Sequence, residues 1–132
     1  MRAVRLPGVN LILIAGFGAL GALSRYGLDR ILGGGRGDDF PWATLTVNVV
    51  GAFALGVLIA LTVERAGVGE GWRLALGVGF LSSFTTFSTY AYDTVRLAEN
   101  GLPLLAIANV VALTTLGLLA AIAGLALGRG LA

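Results

Sequence analysis

Four stretches without Asp, Glu, Lys or Arg run through the chain, over residues 6–24, 40–63, 74–92 and 101–128, separated by polar, glycine-rich segments. Each is close to or longer than the roughly 20 apolar residues that carry a helix across a bilayer. The pattern predicts four membrane-spanning helices, roughly 6–32, 40–64, 72–98 and 102–128, in a single four-helix membrane domain covering residues 1–132. The connections carry loop chemistry: Gly33-Gly34-Gly35-Arg36-Gly37-Asp38-Asp39, Gly67-Val68-Gly69-Glu70-Gly71 and Glu99-Asn100-Gly101-Leu102-Pro103. They leave no length for a soluble domain. Asp38 or Asp39 ahead of Phe40-Pro41 reads as a helix cap followed by a proline in the first turn, and Asn100 ahead of Pro103 repeats the arrangement. Trp42 and Trp72 begin helices that start on opposite sides, one aromatic anchor per interface.

Composition strengthens this picture. Only 12% of residues are charged and 57% are hydrophobic, against about 25% charged in soluble domains. Residues 1–23 pair a charged start with an apolar run, as a secretory leader does, but they are read as the first span. Cysteine and histidine are both absent, which excludes disulfides, thiolate chemistry, imidazole bases and the commonest zinc ligands.

Charge bears on orientation. With four spans, Arg2, Arg5, Arg65, Arg73 and Arg129 fall on one side and Arg25, Arg30, Arg36 and Arg96 on the other. A chain with one fixed orientation concentrates its positive residues on the cytoplasmic side. The near-even split predicts insertion in both orientations and an antiparallel, dual-topology dimer, an inverted repeat built from two copies of one chain; a weak bias resolved by cellular factors is the alternative. Small residues at helix-packing spacing, Gly18 with Ala22 and Ala120 with Gly124 and Gly128, predict close helix contacts. Asn48-Val49-Val50 with Leu55-Gly56, and Asn109-Val110-Val111 with Leu116-Gly117, repeat one pattern at the same spacing in the second and fourth spans.

The candidate chemistry is concentrated in the third span, where Ser82, Ser83, Thr85, Thr86, Ser88 and Thr89 interleave with Phe84 and Phe87. Hydroxyls without partners in hydrocarbon are costly, so the cluster points to a protein-lined path, a bound ion or both. At helical spacing Phe87 and Tyr90 share a face, and the partially positive edges of their rings can meet an anion. Carboxylates are missing from the middle of every span, which disfavours a cation or proton path. Asn48 is either interhelical glue or a pathway ligand. Arg25 follows about sixteen apolar residues, ~24 Å of helix, so it either snorkels to the interface or places its cation at the mouth of an aqueous vestibule. A run of Ser and Thr competes for its own backbone carbonyls. The third helix is therefore expected to break mid-membrane, freeing carbonyls for an alkali cation; an unbroken helix with locally bonded hydroxyls is the alternative.

Three ordered segments then resemble the fluoride channel family, Fluc or CrcB: Gly21-Ala22-Leu23-Ser24-Arg25-Tyr26; Pro41-Trp42-Ala43-Thr44-Leu45-Thr46-Val47-Asn48-Val49-Val50-Gly51; and Phe84-Thr85-Thr86-Phe87-Ser88-Thr89-Tyr90. The resemblance covers nearly the whole chain. It implies an antiparallel homodimer in the cell inner membrane, with two fluoride pores and a central structural Na+ that is not transported. By position it implies a pore lined by Asn48, Phe87, Tyr90, Ser88 and Thr89, joined by Thr114 or Thr115. It implies Arg25 in the vestibule, Asp93 in the place of an acidic residue beyond the second pore ring, and Na+ held by the backbone carbonyls of Ser82 and Thr85. Ser82 replaces a family glycine, Tyr90 a second pore phenylalanine, and Ala43 a glycine. The Tyr90 and Ser82 departures also admit a heterodimer with a paralogous chain.

The function expected is passive, selective export of fluoride, with fluoride, lipid and a second chain as partners, no enzymatic activity and no nucleic acid. The rivals are a small dual-topology multidrug transporter, which would need a membrane-embedded carboxylate that the first span lacks, and a non-conducting assembly subunit whose hydroxyls serve as packing glue.

Overall fold

A computed structural model describes residues 8–33, 39–63 and 69–131. Arg2, Arg5, Arg36, Arg65 and Asp38 lie outside them. The described residues are helical or in short turns, without a strand. Helix α1 spans Gly8–Ile31, α2 Trp42–Thr62 and α6 Pro103–Gly130, and these three are long and apolar enough to cross a membrane. Between α2 and α6, where a third helix over 72–98 with a break in it is expected, the chain forms a succession of segments. A short α3, Glu70–Arg73, runs into a π-helical stretch, Leu74–Leu81; α4 is one turn, Ser82–Phe84; and α5 covers Phe87–Glu99.

The π-helical stretch is not foreseen by the hydrophobic pattern. Wide turns of this kind are rare and tend to occur at functional sites. Here Gly77 and Gly79 lie inside it, and the Ser82 hydroxyl donates to the Gly77 carbonyl at 3.0 Å, five residues back. Beyond α4 the backbone leaves the helical region, with Thr85 at φ −80°, ψ 159° and Thr86 at φ −154°, ψ 111°.

The expected caps are corrected. Asp39 is not the cap residue of α2: Pro41 is its N-cap and makes no side-chain cap hydrogen bond, while the other candidate, Asp38, lies outside the described residues. Asn100 closes the preceding helix as the C-cap of α5, and the turn is completed by Gly101 at φ 76°. Leu102 is the N-cap of α6 and Pro103 stands at its first position, where its missing N–H would have had no helical partner.

Two helix pairs organise the fold. Helix α2 packs along α6, α1 packs along the π-helical stretch and α4, and α5 leans on α6. Backbones approach closely at glycines. A methyl added at Gly124 would strike the Phe53 carbonyl, one at Gly56 the Ala121 carbonyl, and one at Gly21 the Phe80 carbonyl. Small residues four apart, Gly56 with Ala60 on α2 and Gly124 with Gly128 on α6, thus face each other across one seam. Large apolar side chains cover much of the outside, including Leu104, Ile122, Leu118 and Val111 on α6, as a surface facing lipid or another apolar chain requires.

Candidate functional site

The polar groups converge where α2 meets the interruption between α4 and α5. Residues in extended conformation inside an apolar bundle have backbone groups that must find partners. Asn48, about two turns into α2, supplies them to Thr86. Its Oδ1 accepts from the Thr86 N–H at 2.9 Å, and its Nδ2 donates to the Thr86 carbonyl at 3.1 Å and to the Thr44 carbonyl at 2.8 Å. Gly51, one turn further along α2, lets the methyl of Thr85 lie against the helix; a Cβ there would collide with it.

Thr86 then starts α5. Its Oγ1 accepts from the Thr89 N–H at 3.2 Å, a side-chain N-cap. The same hydroxyl donates to Thr89 Oγ1 at 3.0 Å and lies 3.3 Å from Ser88 Oγ. Since a hydroxyl has one proton, the Thr86 proton bound to Thr89 makes Ser88 the donor to Thr86. The chain Ser88 to Thr86 to Thr89 leaves the Thr89 proton as the donor not spent within it.

That proton belongs to a residue lining a cleft of about 230 Å³, bounded by Ala22, Arg25, Tyr26 and Asp29 on α1, Ala43, Thr44 and Val47 on α2, and Thr86 and Thr89. The four α1 residues stand at i, i+3, i+4 and i+7, one face of the helix. Arg25 and Asp29 thus stand on one α1 face of a cleft that Thr44, Thr86 and Thr89 help to line. Behind Thr44, buried Asp93 accepts the Thr44 hydroxyl at 2.8 Å and pairs with Arg96 at 3.3 Å. The carboxylate is thus paired and hydrogen-bonded, as burial of a charge demands.

The remaining sequence candidates are distributed around this centre. Phe87 and Tyr90 contact each other with centroids 5.5 Å apart, tilted by 55° and not parallel; Phe87 is 76% exposed on the single chain. Tyr90 is held through its backbone, whose carbonyl accepts the Thr94 hydroxyl at 2.9 Å; Thr94 in turn accepts from Asn109 Nδ2 at 2.9 Å. Thr114 and Thr115 lie on the exposed surface of α6. The Thr85 hydroxyl turns back to the Leu81 carbonyl at 2.9 Å.

The Ser82 and Thr85 carbonyls can be tested as cation ligands. In an uninterrupted helix they would accept from Thr86 N–H and Thr89 N–H. Those amides are engaged by Asn48 Oδ1 and Thr86 Oγ1 instead. Both oxygens have lost their usual donors, so the residues fit a hard cation bound through carbonyls.

Sequence reasoning placed Thr86 only within the hydroxyl cluster and assigned no role to Thr44, Asp29 or Asn109. Thr44 carries a usable signal, standing one turn before Asn48. Asn109 carries another in the Asn-Val-Val pattern it shares with Asn48, and it is only 1% exposed.

These features define a class: a multi-pass, all-helical membrane protein with a polar cleft, lined by Arg25, Asp29 and three threonines, at an interrupted helix. Residues 12–125 match the family described as CrcB-like protein, Camphor Resistance (CrcB), and the chain belongs to that family. A relative from Geobacter sulfurreducens named Fluoride-specific ion channel FluC is 41% identical over 126 residues, covering 92% of this chain and 98% of its own. One of the same name from a strain of Thermus thermophilus is 44% identical over 120 residues, covering 91% and 94%. Fluoride-specific ion channel FluC 1 from Natronomonas pharaonis is 48% identical over 108 residues, covering 82% and 84%.

Proposed function

We propose that this chain is a fluoride-selective channel of the inner membrane that lets fluoride leave the cell passively. The observation carrying this reading is the cleft that both Arg25 and Thr89 line beside the interrupted helix, in a chain whose relatives bear the name of fluoride channels. Arg25 concentrates anions at the mouth. The Thr89 hydroxyl, oriented through Thr86 by Ser88, replaces part of the hydration shell, and the edges of Phe87 and Tyr90 border the path beyond. Asn48 stands in its wall. Passage down a gradient needs no catalysis.

The working unit is an antiparallel homodimer. Its second copy supplies Thr114 or Thr115 to the path and covers the exposed Phe87 ring. The interruption at Thr85–Thr86 lies mid-membrane, and the Ser82 and Thr85 carbonyls of the two copies hold one Na+. When bound, the ion would neutralise carbonyl dipoles that the interruption leaves facing one another. The buried carboxylate that a proton-coupled exporter would require is represented here by Asp93, already paired with Arg96 and Thr44.

Fluoride efflux from liposomes holding the purified chain tests the proposal. A channel passes fluoride electrogenically without a proton gradient and far faster than chloride. Dependence on a proton gradient would instead identify an exporter, and no flux would identify a scaffold. Purification in choline without sodium should lower the melting temperature; identical melting in both salts would remove the ion.

A further inference from the structure

We infer that Asn48 is a positioning residue, a clamp on the Thr86 peptide, and not a donor to the permeating ion. The inference rests on the channel reading for its functional meaning, but its geometry stands by itself.

A primary amide has two N–H donors. Both Asn48 donors are spent on carbonyls, those of Thr44 and Thr86, at 2.8 and 3.1 Å. The amide orientation is fixed by its partners. Turned over, it would set Nδ2 against the Thr86 N–H and Oδ1 against the two carbonyls, replacing every attraction with a repulsion. No N–H remains for an anion in the cleft.

The fit to Thr86 follows from its extended backbone. The N–H and C=O of one extended residue point the same way, as in the hydrogen-bonded pairs of an antiparallel ladder. A single carboxamide at the right depth closes both. Aspartate has no donor, and an aliphatic side chain has neither group. By holding Thr86 N–H, Asn48 keeps that amide from Ser82 O, its usual acceptor in a continuous helix. Thr86 Oγ1 is then free to cap α5 through the Thr89 N–H and to hand its proton to Thr89 Oγ1. The polar lining is thus built at second hand: Asn48 fixes the peptide, the peptide fixes Thr86 Oγ1, and Thr86 Oγ1 orients Thr89.

The decisive variant leaves every side chain in place. Exchange of the amide between Thr85 and Thr86 for an ester, in the full chain, removes the proton donated to Asn48 Oδ1. Fluoride efflux from liposomes should fall at least tenfold, while the same exchange at Leu55, on the exposed side of α2, leaves efflux near that of the unmodified chain. Amide hydrogen exchange supplies the second readout. In the detergent-purified protein the Thr86 amide should exchange at least tenfold faster in Asn48→Ala than in the unaltered chain. Unaltered efflux through the Thr86 ester alongside abolished efflux in Asn48→Ala would overturn the clamp and return Asn48 to direct contact with the ion. Equal Thr86 protection with and without the Asn48 amide would overturn it as well. If the unaltered chain passes no fluoride, the channel reading fails, and the exchange measurement still decides the clamp.

Discussion

At the scale of single residues, the side chains that matter most are those whose hydrogen-bonding capacity is accounted for. Asn48 spends its donors on backbone, Thr85 on Leu81, and Thr94 on Tyr90, so the hydroxyl-rich third span offers fewer free donors than its composition implies. Tyr90 illustrates the consequence. Its position follows from its backbone carbonyl and from ring contact with Phe87, neither of which uses the phenol oxygen. Tyr90→Phe should therefore conduct within about threefold of the unaltered protein, a change worth under 1 kcal/mol of barrier. Complete loss of fluoride efflux in that variant would show that the hydroxyl is the working group. The small hydrophobic vocabulary of this chain hides such distinctions: Thr85 and Thr89 look equivalent in the sequence, yet one is turned back into its own helix and the other faces the cleft.

At the scale of elements, the chain is held by backbone proximity. Lipid offers apolar side chains nearly the same surroundings as another helix, so association depends on close van der Waals contact at small residues. The α2–α6 seam is the clearest case. Gly124→Ala sets a methyl against the Phe53 carbonyl, a contact that neither helix can relieve without moving apart, and should destabilise the fold by about 1–3 kcal/mol. Gly117→Ala, on the same helix but with nothing within 4 Å of the added methyl, is the control. Thermal unfolding of the two variants in detergent checks the difference; equal melting temperatures would mean that the seam yields. The third span is organised on another logic. Its interruption requires external partners for Thr86, and α2 provides them from Asn48 while Gly51 admits the Thr85 methyl.

At the scale of the whole molecule, the single chain presents apolar helices outward and leaves Phe87 exposed, a surface that two oppositely inserted copies would cover. Glu99, exposed at the end of α5 in a chain with no native cysteine, offers a direct check. In cells expressing Glu99→Cys, an impermeant thiol reagent should label about half of the protein from outside and the rest only after permeabilisation, as insertion without a positive-inside bias demands. Labelling of all or none from one side would rule out dual orientation.

The amino-acid sequence by itself determined the membrane class, the apolar spans and the residues from which a polar site could be assembled. Those properties are additive along the chain: hydrophobic length, missing charges, and local motifs such as Thr-Thr-Phe-Ser-Thr. It also singled out Asn48 and Arg25, because polar groups inside apolar spans are expensive enough to require a reason. It misplaced the caps at Asp39 and Asn100, where turn geometry outweighed residue preference, and it gave no sign of the π-helical stretch. What only the tertiary structure decided is which hydrogen bonds are already taken. The Asn48 clamp joins residues 38 apart in the chain, and the burial of Asp93 beneath Thr44 joins residues 49 apart. A hydrogen bond has one donor and a direction, so whether a polar group serves the backbone or the path depends on what the fold sets beside it. No local pattern encodes that choice.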